Sequence, residues 1–221
     1  MSFLKRGRRR PASGRTGGVN AWLIAASLLA TVAVVACRPR EGAVLGATGS
    51  TRPEPNKAIA VGDRVPEFTL TDQTGRAVRL SEFRGAPVAV TFAYTRCPDA
   101  AACPMTRAKF SKLNAAIAGK DVGRLLVVTV DPETDTPAVL ADFAARIGAD
   151  SARWKFLTGD PRALARVAET FGVLYYPERG QIMHQQAVAV IDPEGRLASI
   201  TYGSDWEPEQ ILQELQKARK G

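Results

Sequence analysis

Residues 87–93, Pro-Val-Ala-Val-Thr-Phe-Ala, form an almost unbroken apolar run in the middle of the chain. A second run, Leu-Leu-Val-Val-Thr-Val, occupies residues 125–130. Runs of this kind are typical of strands that are buried on both faces of a sheet. Between the two runs, Phe110, Leu113 and Ile117 recur at helical spacing. The segment therefore predicts two parallel strands joined by a crossover helix.

The segments on either side extend this pattern. Thr136 and Asp160 each precede a proline, which predicts the start of a helix at each position, and residues 154–157 between those helices read as a short strand. The remaining predicted elements are a hairpin at residues 68–80, a hairpin at residues 187–202 and a closing helix at residues 207–218. This order predicts an α/β domain with a thioredoxin-like fold, an added N-terminal β-hairpin and three α/β/α layers.

The net charge of +8 is concentrated at the N terminus. The chain has 221 residues, with 30 Lys and Arg against 22 Asp and Glu, and six of the basic residues but no acidic residue lie in residues 1–36. The rest of the chain is nearly neutral, so the sequence predicts no nucleic-acid partner. The length suits one large domain with its own core, and three Cys are too few for a miniprotein held together by disulfides.

The basic N terminus is followed by an apolar run at residues 19–36 and then by Cys37. This order is typical of a secretory signal or a membrane anchor. The ending Val-Val-Ala-Cys resembles a bacterial lipoprotein cleavage box, so one alternative is lipidation of Cys37. The others are an uncleaved membrane-spanning anchor and a soluble fate. Both membrane alternatives place the domain on the extracytoplasmic side of the cell membrane.

A stretch rich in Gly, Pro, Ser and Thr follows the apolar run at residues 37–60. This composition is typical of a flexible linker, which here would hold the domain away from the membrane. The predicted organisation is therefore a signal or anchor at 1–36, a linker at 37–60 and a folded domain at 61–221.

Cys97 and Cys103 follow the first buried strand, at the entry to the crossover helix. Sites in open α/β sheets lie at the carboxyl ends of strands, and a helix N terminus favours the thiolate. The spacing is C-x5-C rather than the C-x-x-C of disulfide reductases, and Pro98 and Asp99 indicate a loop that must fold back before the sulfurs can meet. Two thiols here suit redox chemistry, soft-metal binding or a structural disulfide.

His184 is the only His in the chain. A lone His is more often structural than a ligand, but this one follows an irregular stretch at residues 175–180 and precedes the strand at 187–191. In the predicted fold, that loop lies beside the start of the crossover helix. Two thiolates and one imidazole form a three-coordinate soft site for Cu(I) or Cu(II), whereas a structural zinc site would need a fourth ligand. Met105 would supply either a fourth soft contact or core packing.

Several separated motifs now point to one family. They are residues 92–99 (Phe-Ala-Tyr-Thr-Arg-Cys-Pro-Asp), 103–105 (Cys-Pro-Met), 129–137 (Thr-Val-Asp-Pro-Glu-Thr-Asp-Thr-Pro), 171–173 (Phe-Gly-Val) and 184–195 (His-Gln-Gln-Ala-Val-Ala-Val-Ile-Asp-Pro-Glu-Gly). With these motifs in order, the chain resembles the SCO/SenC family over about residues 61–220. Members are membrane-tethered thioredoxin-like domains that bind copper through two Cys and one His and help assemble the binuclear copper centre of cytochrome c oxidase.

The resemblance implies a role for each matching residue. Cys97, Cys103 and His184 take the positions of the copper ligands, and the oxidised form would hold a Cys97–Cys103 disulfide. Asp131 matches an acidic residue near the site, although it also suits a turn cap after a strand. The usual family spacing is C-x3-C, and three alanines at residues 100–102 lengthen it here, as in a branch of SCO-like proteins.

The primary expectation is a membrane-tethered copper-binding protein that hands copper by ligand exchange to a cytochrome c oxidase subunit II-like protein. The alternative is a thiol:disulfide oxidoreductase in which Cys97 attacks and Cys103 resolves, so that partner cysteines stay reduced. A third possibility is a peroxiredoxin-like protein or an interaction module with a structural disulfide. Whether the protein is an enzyme depends on this choice, because copper delivery alone requires no catalysis.

Overall fold

The computed structural model describes residues 58–97, 102–149 and 152–220. For residues 102–106, which include Cys103 and Met105, only the backbone is described. The predicted anchor at 1–36, Cys37 and the linker up to residue 57 lie outside the described residues. Within the described ranges, no helix combines the length and the apolar composition that crossing a membrane requires.

The described part of the chain contains nine strands, four α-helices and one 3-10 helix. They are β1 (Thr69–Asp72), β2 (Ala77–Arg79), a 3-10 helix (Leu80–Phe83), β3 (Val88–Ala93), α1 (Ala102–Ile117), β4 (Arg124–Thr129), α2 (Pro137–Arg146), β5 (Trp154–Thr158), α3 (Pro161–Thr170), β6 (Tyr175–Glu178), β7 (Gln181–His184), β8 (Ala187–Ile191), β9 (Leu197–Tyr202) and α4 (Pro208–Ala218).

Seven strands form one mixed sheet in the order β2-β1-β5-β4-β3-β8-β9. The central strands β3, β4 and β5 are parallel, and α1 and α2 are their crossover helices. The outer strands run antiparallel, with the β1–β2 hairpin beside β5 and the β8–β9 hairpin beside β3. This arrangement confirms the predicted thioredoxin-like α/β fold with an added N-terminal hairpin.

Both faces of the sheet are covered. Along β3, Val88, Val90 and Phe92 point into one hydrophobic cluster, and Ala89 between them points into the other. The cluster on the first face includes residues of α3, and the cluster on the second face includes residues of α1, α2 and α4. The continuous apolar run at 87–93 thus reflects burial on two faces, and the three layers are those predicted.

Two of the predicted helix starts are confirmed by their caps. The hydroxyl of Thr136 accepts a hydrogen bond from the backbone N–H of Val139, at 3.4 Å, at the start of α2. The carboxylate of Asp160 accepts from the N–H groups of Arg162 and Ala163, at 2.9 and 3.1 Å, at the start of α3. In both helices a proline occupies the first turn, where its missing N–H costs no intrahelical bond.

The prediction that residues 175–180 are irregular is wrong. Strands β6 and β7 form a separate antiparallel hairpin, in which Tyr175 is paired with His184. The turn residues Arg179 and Gly180 have φ angles of 50° and 77°, as a two-residue hairpin turn of type I′ requires. Pro177 argues against a strand in a sequence pattern, but it is tolerated here in a two-stranded ribbon. The crossover helix α1 begins at Ala102, before the apolar residues Phe110, Leu113 and Ile117 from which the helix was predicted.

Candidate metal centre

Cys97 lies where β3 leaves the sheet, at the carboxyl edge that β3 shares with β4. The side chain is partly buried against the hydrophobic cluster on the α3 face. The sulfur of Cys97 takes part in a disulfide. The backbone of Cys103 lies in the first turn of α1, but its side chain is outside the described part of the chain, so the predicted Cys97–Cys103 pairing stays a prediction.

A buried carboxylate holds the chain just before Cys97. Asp135 accepts hydrogen bonds from the backbone N–H of Thr95 at 3.1 Å and from its hydroxyl at 2.5 Å. The hydroxyl of Thr129, at the end of β4, donates to the same carboxylate at 2.5 Å. Burial raises the pKa of Asp135, and these hydrogen bonds oppose the shift only in part. Asp135 therefore ties the strand that leads to Cys97 to its neighbour in the sheet.

Asp131 makes a second link on the same edge. Its buried carboxylate accepts a hydrogen bond from Nε of Arg96, at 2.6 Å, and Arg96 is the residue directly before Cys97. The backbone carbonyl of Asp131 also accepts from the N–H of Asp135, at 2.8 Å, so the residue shapes the turn after β4. The carboxylate of Asp131 thus holds Arg96 beside Cys97, and its influence on a bound metal stays a prediction.

His184 reaches this edge from the β6–β7 hairpin. Its ring packs edge-on against the ring of Tyr94, with the centroids 5.9 Å apart and the planes at 76°. The hydroxyl of Tyr94 accepts a hydrogen bond from the N–H of Ile182, at 3.3 Å. Tyr94 and Cys97 also line one cavity. Tyr94 therefore connects the Cys97 segment with the hairpin that presents His184.

The imidazole of His184 has an unused nitrogen. Burial lowers the pKa of His184, and a contact with the backbone of Gln185 offsets part of that shift. Nδ1 is buried and finds no hydrogen-bond partner among the described residues. Buried polar atoms are nearly always paired, so this nitrogen of His184 is available to bind a metal ion.

The ligand set Cys97, Cys103 and His184 stays a prediction. Within the described residues, no group of three or more His, Cys, Asp and Glu side chains is arranged to hold a metal ion. The sulfur of Cys103 lies outside that set. With two sulfurs and one nitrogen, the predicted site would be soft and three-coordinate, which fits copper better than a hard cation.

Three residues that shape this edge escaped the sequence reasoning: Tyr94, Arg96 and Asp135. Tyr94 and Arg96 lie inside the motif that carries Cys97. Asp135 had a usable signal, since it is the second of two aspartates four residues apart directly after a buried strand. The β6–β7 hairpin also had a sequence signal, which is an Arg-Gly turn between two short alternating segments.

Comparison with known proteins identifies the family of this chain. The family model described as SCO1/SenC matches residues 56–220, which is most of the chain. The chain belongs to the SCO1/SenC family. Among relatives, the SCO1 protein homolog of Bacillus subtilis is 26% identical over 160 residues, which cover 70% of this chain and 82% of that protein. The mitochondrial SCO2 homolog of Bos taurus is 29% identical over 175 residues, covering 75% of this chain and 63% of that protein.

Solved structures of SCO1/SenC relatives share the fold. ScoI of Bradyrhizobium japonicum, solved with copper bound, is 28% identical with a TM-score of 0.59, covering 72% of this chain and 99% of that one. BsSco, described with a disulfide switch and as a member of the Sco family of cytochrome c oxidase assembly proteins, is 26% identical with a TM-score of 0.63, covering 74% and 98%. Copper, the predicted metal, is therefore confirmed for a relative in this family.

Proposed function

We propose that this protein binds copper through Cys97, Cys103 and His184 and assists metallation of the copper centre of a cytochrome c oxidase. We further propose that it is tethered to the cell membrane by its N-terminal segment, with the domain on the extracytoplasmic side. Membership of the SCO1/SenC family supports the proposal. The observation that carries it is the buried Nδ1 of His184, which has no hydrogen-bond partner among the described residues and lies on a hairpin joined to the Cys97 segment through Tyr94.

The chain's own residues suit capture and release of copper. Burial lowers the pKa of His184, which favours the neutral ring that a metal ion binds. The two thiols would bind as thiolates and release protons on loading. A three-ligand site leaves copper open to an incoming ligand, so a recipient with a higher number of soft donors would take the ion by stepwise exchange.

The oxidoreductase alternative explains less of the site. Dithiol exchange needs an attacking and a resolving sulfur, and it has no use for an imidazole. It therefore gives no role to the buried Nδ1 of His184, which has no hydrogen-bond partner in the described part of the chain. It also leaves unexplained why a separate hairpin brings this ring to Tyr94.

Copper titration of the full, reduced chain in detergent tests the proposal. Wild type should bind one equivalent tightly, and His184→Ala should weaken binding on the order of 100-fold or more, because one of three ligands is lost. Gln185→Ala, an exposed neighbour on the same segment, is the matched control and should bind like wild type. Since the chain has one His, nitrogen NMR of labelled histidine should show one imidazole that changes with the first equivalent.

Copper binding by wild type and His184→Ala with equal affinity would contradict the assignment of His184. Absence of binding by reduced wild type would contradict the function itself. If His184→Ala retained full exchange with a peptide carrying two cysteines while wild type bound no copper, the oxidoreductase alternative would replace the proposal.

A further inference from the structure

Two exposed arginines lie over one aromatic ring where helices α1 and α2 meet solvent. The guanidinium carbon of Arg107, on α1, is 5.7 Å from the centroid of the Phe143 ring, and that of Arg146, on α2, is 5.9 Å from it. Arg107 and Phe143 also line a cavity whose wall includes Cys97. This arginine pair, Arg107 and Arg146, therefore lies next to the cavity that reaches the proposed metal centre.

The charges of the arginine pair are not compensated within the described part of the chain. Neither guanidinium forms an ion pair with a described acidic side chain, whereas Arg96 and Arg219 each pair with an aspartate. Helix α1 contains three basic residues and no acidic residue. Because both charges of the pair lie within 5.9 Å of one ring centroid, they repel each other at low ionic strength. The surface is thus locally positive on a domain that is nearly neutral.

Packing within the domain accounts for one arginine of the pair better than for two. A cation over an aromatic ring is favourable, and Arg146 also lies in the last turn of α2, where the helix dipole favours a positive charge. Arg107 lies away from the end of α1, and its position over the same ring brings two like charges together. An anion that binds both guanidinium groups would remove this repulsion.

We propose that the arginine pair is the docking site for an acidic segment of the partner protein, whose carboxylates accept hydrogen bonds from Arg107 and Arg146. A guanidinium presents a planar set of N–H donors that matches a carboxylate. Because Arg107 and Cys97 line one cavity, a segment held at the pair brings the partner to the sulfur. The inference rests on the proposed function for its partner, the protein that receives copper, and this favours a protein over a lipid headgroup.

Two peptides that differ only in charge test the proposal on the full, copper-free chain in a non-ionic detergent. The acidic peptide is acetyl-Gly-Glu-Gly-Glu-Gly-amide, in which alternate positions place both carboxylates on one side of an extended segment, and the neutral peptide has Gln for each Glu. Binding is followed by NMR through the side-chain Nε–H resonances of Arg107 and Arg146. At an ionic strength of about 0.01 M, the acidic peptide should bind about fivefold more tightly and shift both resonances, and about 1 M salt should abolish the preference.

Arg107→Gln and Arg146→Gln each remove one charge and keep part of the apolar stem. Each should lower the preference for the acidic peptide about twofold, and the double variant should bind the two peptides with equal affinity. Arg162→Gln is the matched control, because Arg162 is an exposed arginine on α3, which covers the other face of the sheet, and it should keep the fivefold preference. Thermal melts establish that each variant is folded.

Equal binding of the two peptides by wild type at low ionic strength would overturn the docking site, and so would a preference that survives in the double variant. If phosphatidylglycerol added to the detergent shifts both arginine resonances and the acidic peptide shifts neither, an anionic lipid surface replaces the protein partner and the proposal is wrong. Because the protein is free of copper throughout, none of these results bears on the copper titration of His184→Ala. A failure of that titration would remove copper as the cargo and leave the peptide result unchanged.

Discussion

Two aspartates of this domain are completely buried, and their surroundings differ in charge. Asp72 lies in the β1–β2 hairpin, where its carboxylate is 3.0 Å from the ammonium of Lys155 and 2.6 Å from the hydroxyl of Thr74. Asp135 lies at the carboxyl edge beside Cys97, and its hydrogen bonds come from the hydroxyls and backbone of two threonines. One buried charge is compensated by a cation, and the other is held by neutral donors.

The pKa values of the two carboxyls follow these surroundings. Burial alone would raise the pKa of Asp72, but hydrogen bonds from Thr74 and Lys155 and from the backbone lower it to about 2. Burial raises the pKa of Asp135, and the nearby charge of Asp131 adds to the increase. An uncompensated buried carboxylate is unfavourable for folding, and such groups concentrate at functional sites. The raised pKa of Asp135 means that burial disfavours its charged form at the edge that carries Cys97.

Removing the compensated carboxylate should have the largest effect on stability. Asp72→Ala leaves the mostly buried ammonium of Lys155 without its partner, and breaking a buried ion pair from one side costs about 3 kcal/mol or more. Urea unfolding should show this as a lower free energy of unfolding. Asp121→Ala is the matched control, because Asp121 pairs with Arg219 at the exposed surface, and it should change stability far less. Equal losses in the two variants would contradict the contrast.

The pH dependence of stability should separate the two aspartates by sign. The lowered pKa of Asp72 stabilises the fold above pH 3.8, and this contribution is lost as the pH falls towards 2. The raised pKa of Asp135 acts in reverse, because its contribution is present below pH 3.8 and is lost as the pH rises through the native pKa. Each contribution is measured as the difference in free energy of unfolding between wild type and the Asp→Asn variant at that position.

On acidification from pH 6 to pH 2, the difference between wild type and Asp72→Asn should therefore shrink, and the difference between wild type and Asp135→Asn should move in the opposite direction. Using differences cancels the other titrating groups, which are the same in each pair. Two differences that change in the same direction would show that both carboxylates are compensated alike.

The sheet could be predicted because its central strands are buried on both faces, so that their sequences are continuous apolar runs. The helix caps could be predicted as well, since Thr136 and Asp160 are local signals that need no tertiary information. The β6–β7 hairpin could not be assigned in the same way. Its strands are short, one contains Pro177, and it is joined to the domain through a tertiary contact, the ring of Tyr94 against His184.

The candidate site, too, could be predicted from the sequence only in part. Cys97, Cys103 and His184 could be predicted from their donor chemistry, which a sequence displays directly. Asp135 acts by accepting hydrogen bonds from Thr95, forty residues earlier in the chain, and such a pairing exists only once β3 and β4 lie side by side. Residues that position a ligand through the fold are thus harder to recognise than residues that would bind the ligand themselves.

Removing the hydrogen bond between Tyr94 and the β6–β7 hairpin should have the smallest effect on stability, and the effect should be confined to the hairpin. Tyr94→Phe keeps the ring that packs on His184 and removes the oxygen that accepts the N–H of Ile182, so the loss of stability should be about 1 kcal/mol. The Ile182 amide should exchange with solvent several-fold faster, since its opening no longer breaks that bond. Tyr176→Phe removes a tyrosine hydroxyl on the same hairpin and should leave Ile182 unchanged. Unaltered exchange at Ile182 in Tyr94→Phe would mean that the hairpin is held to the site by ring packing alone.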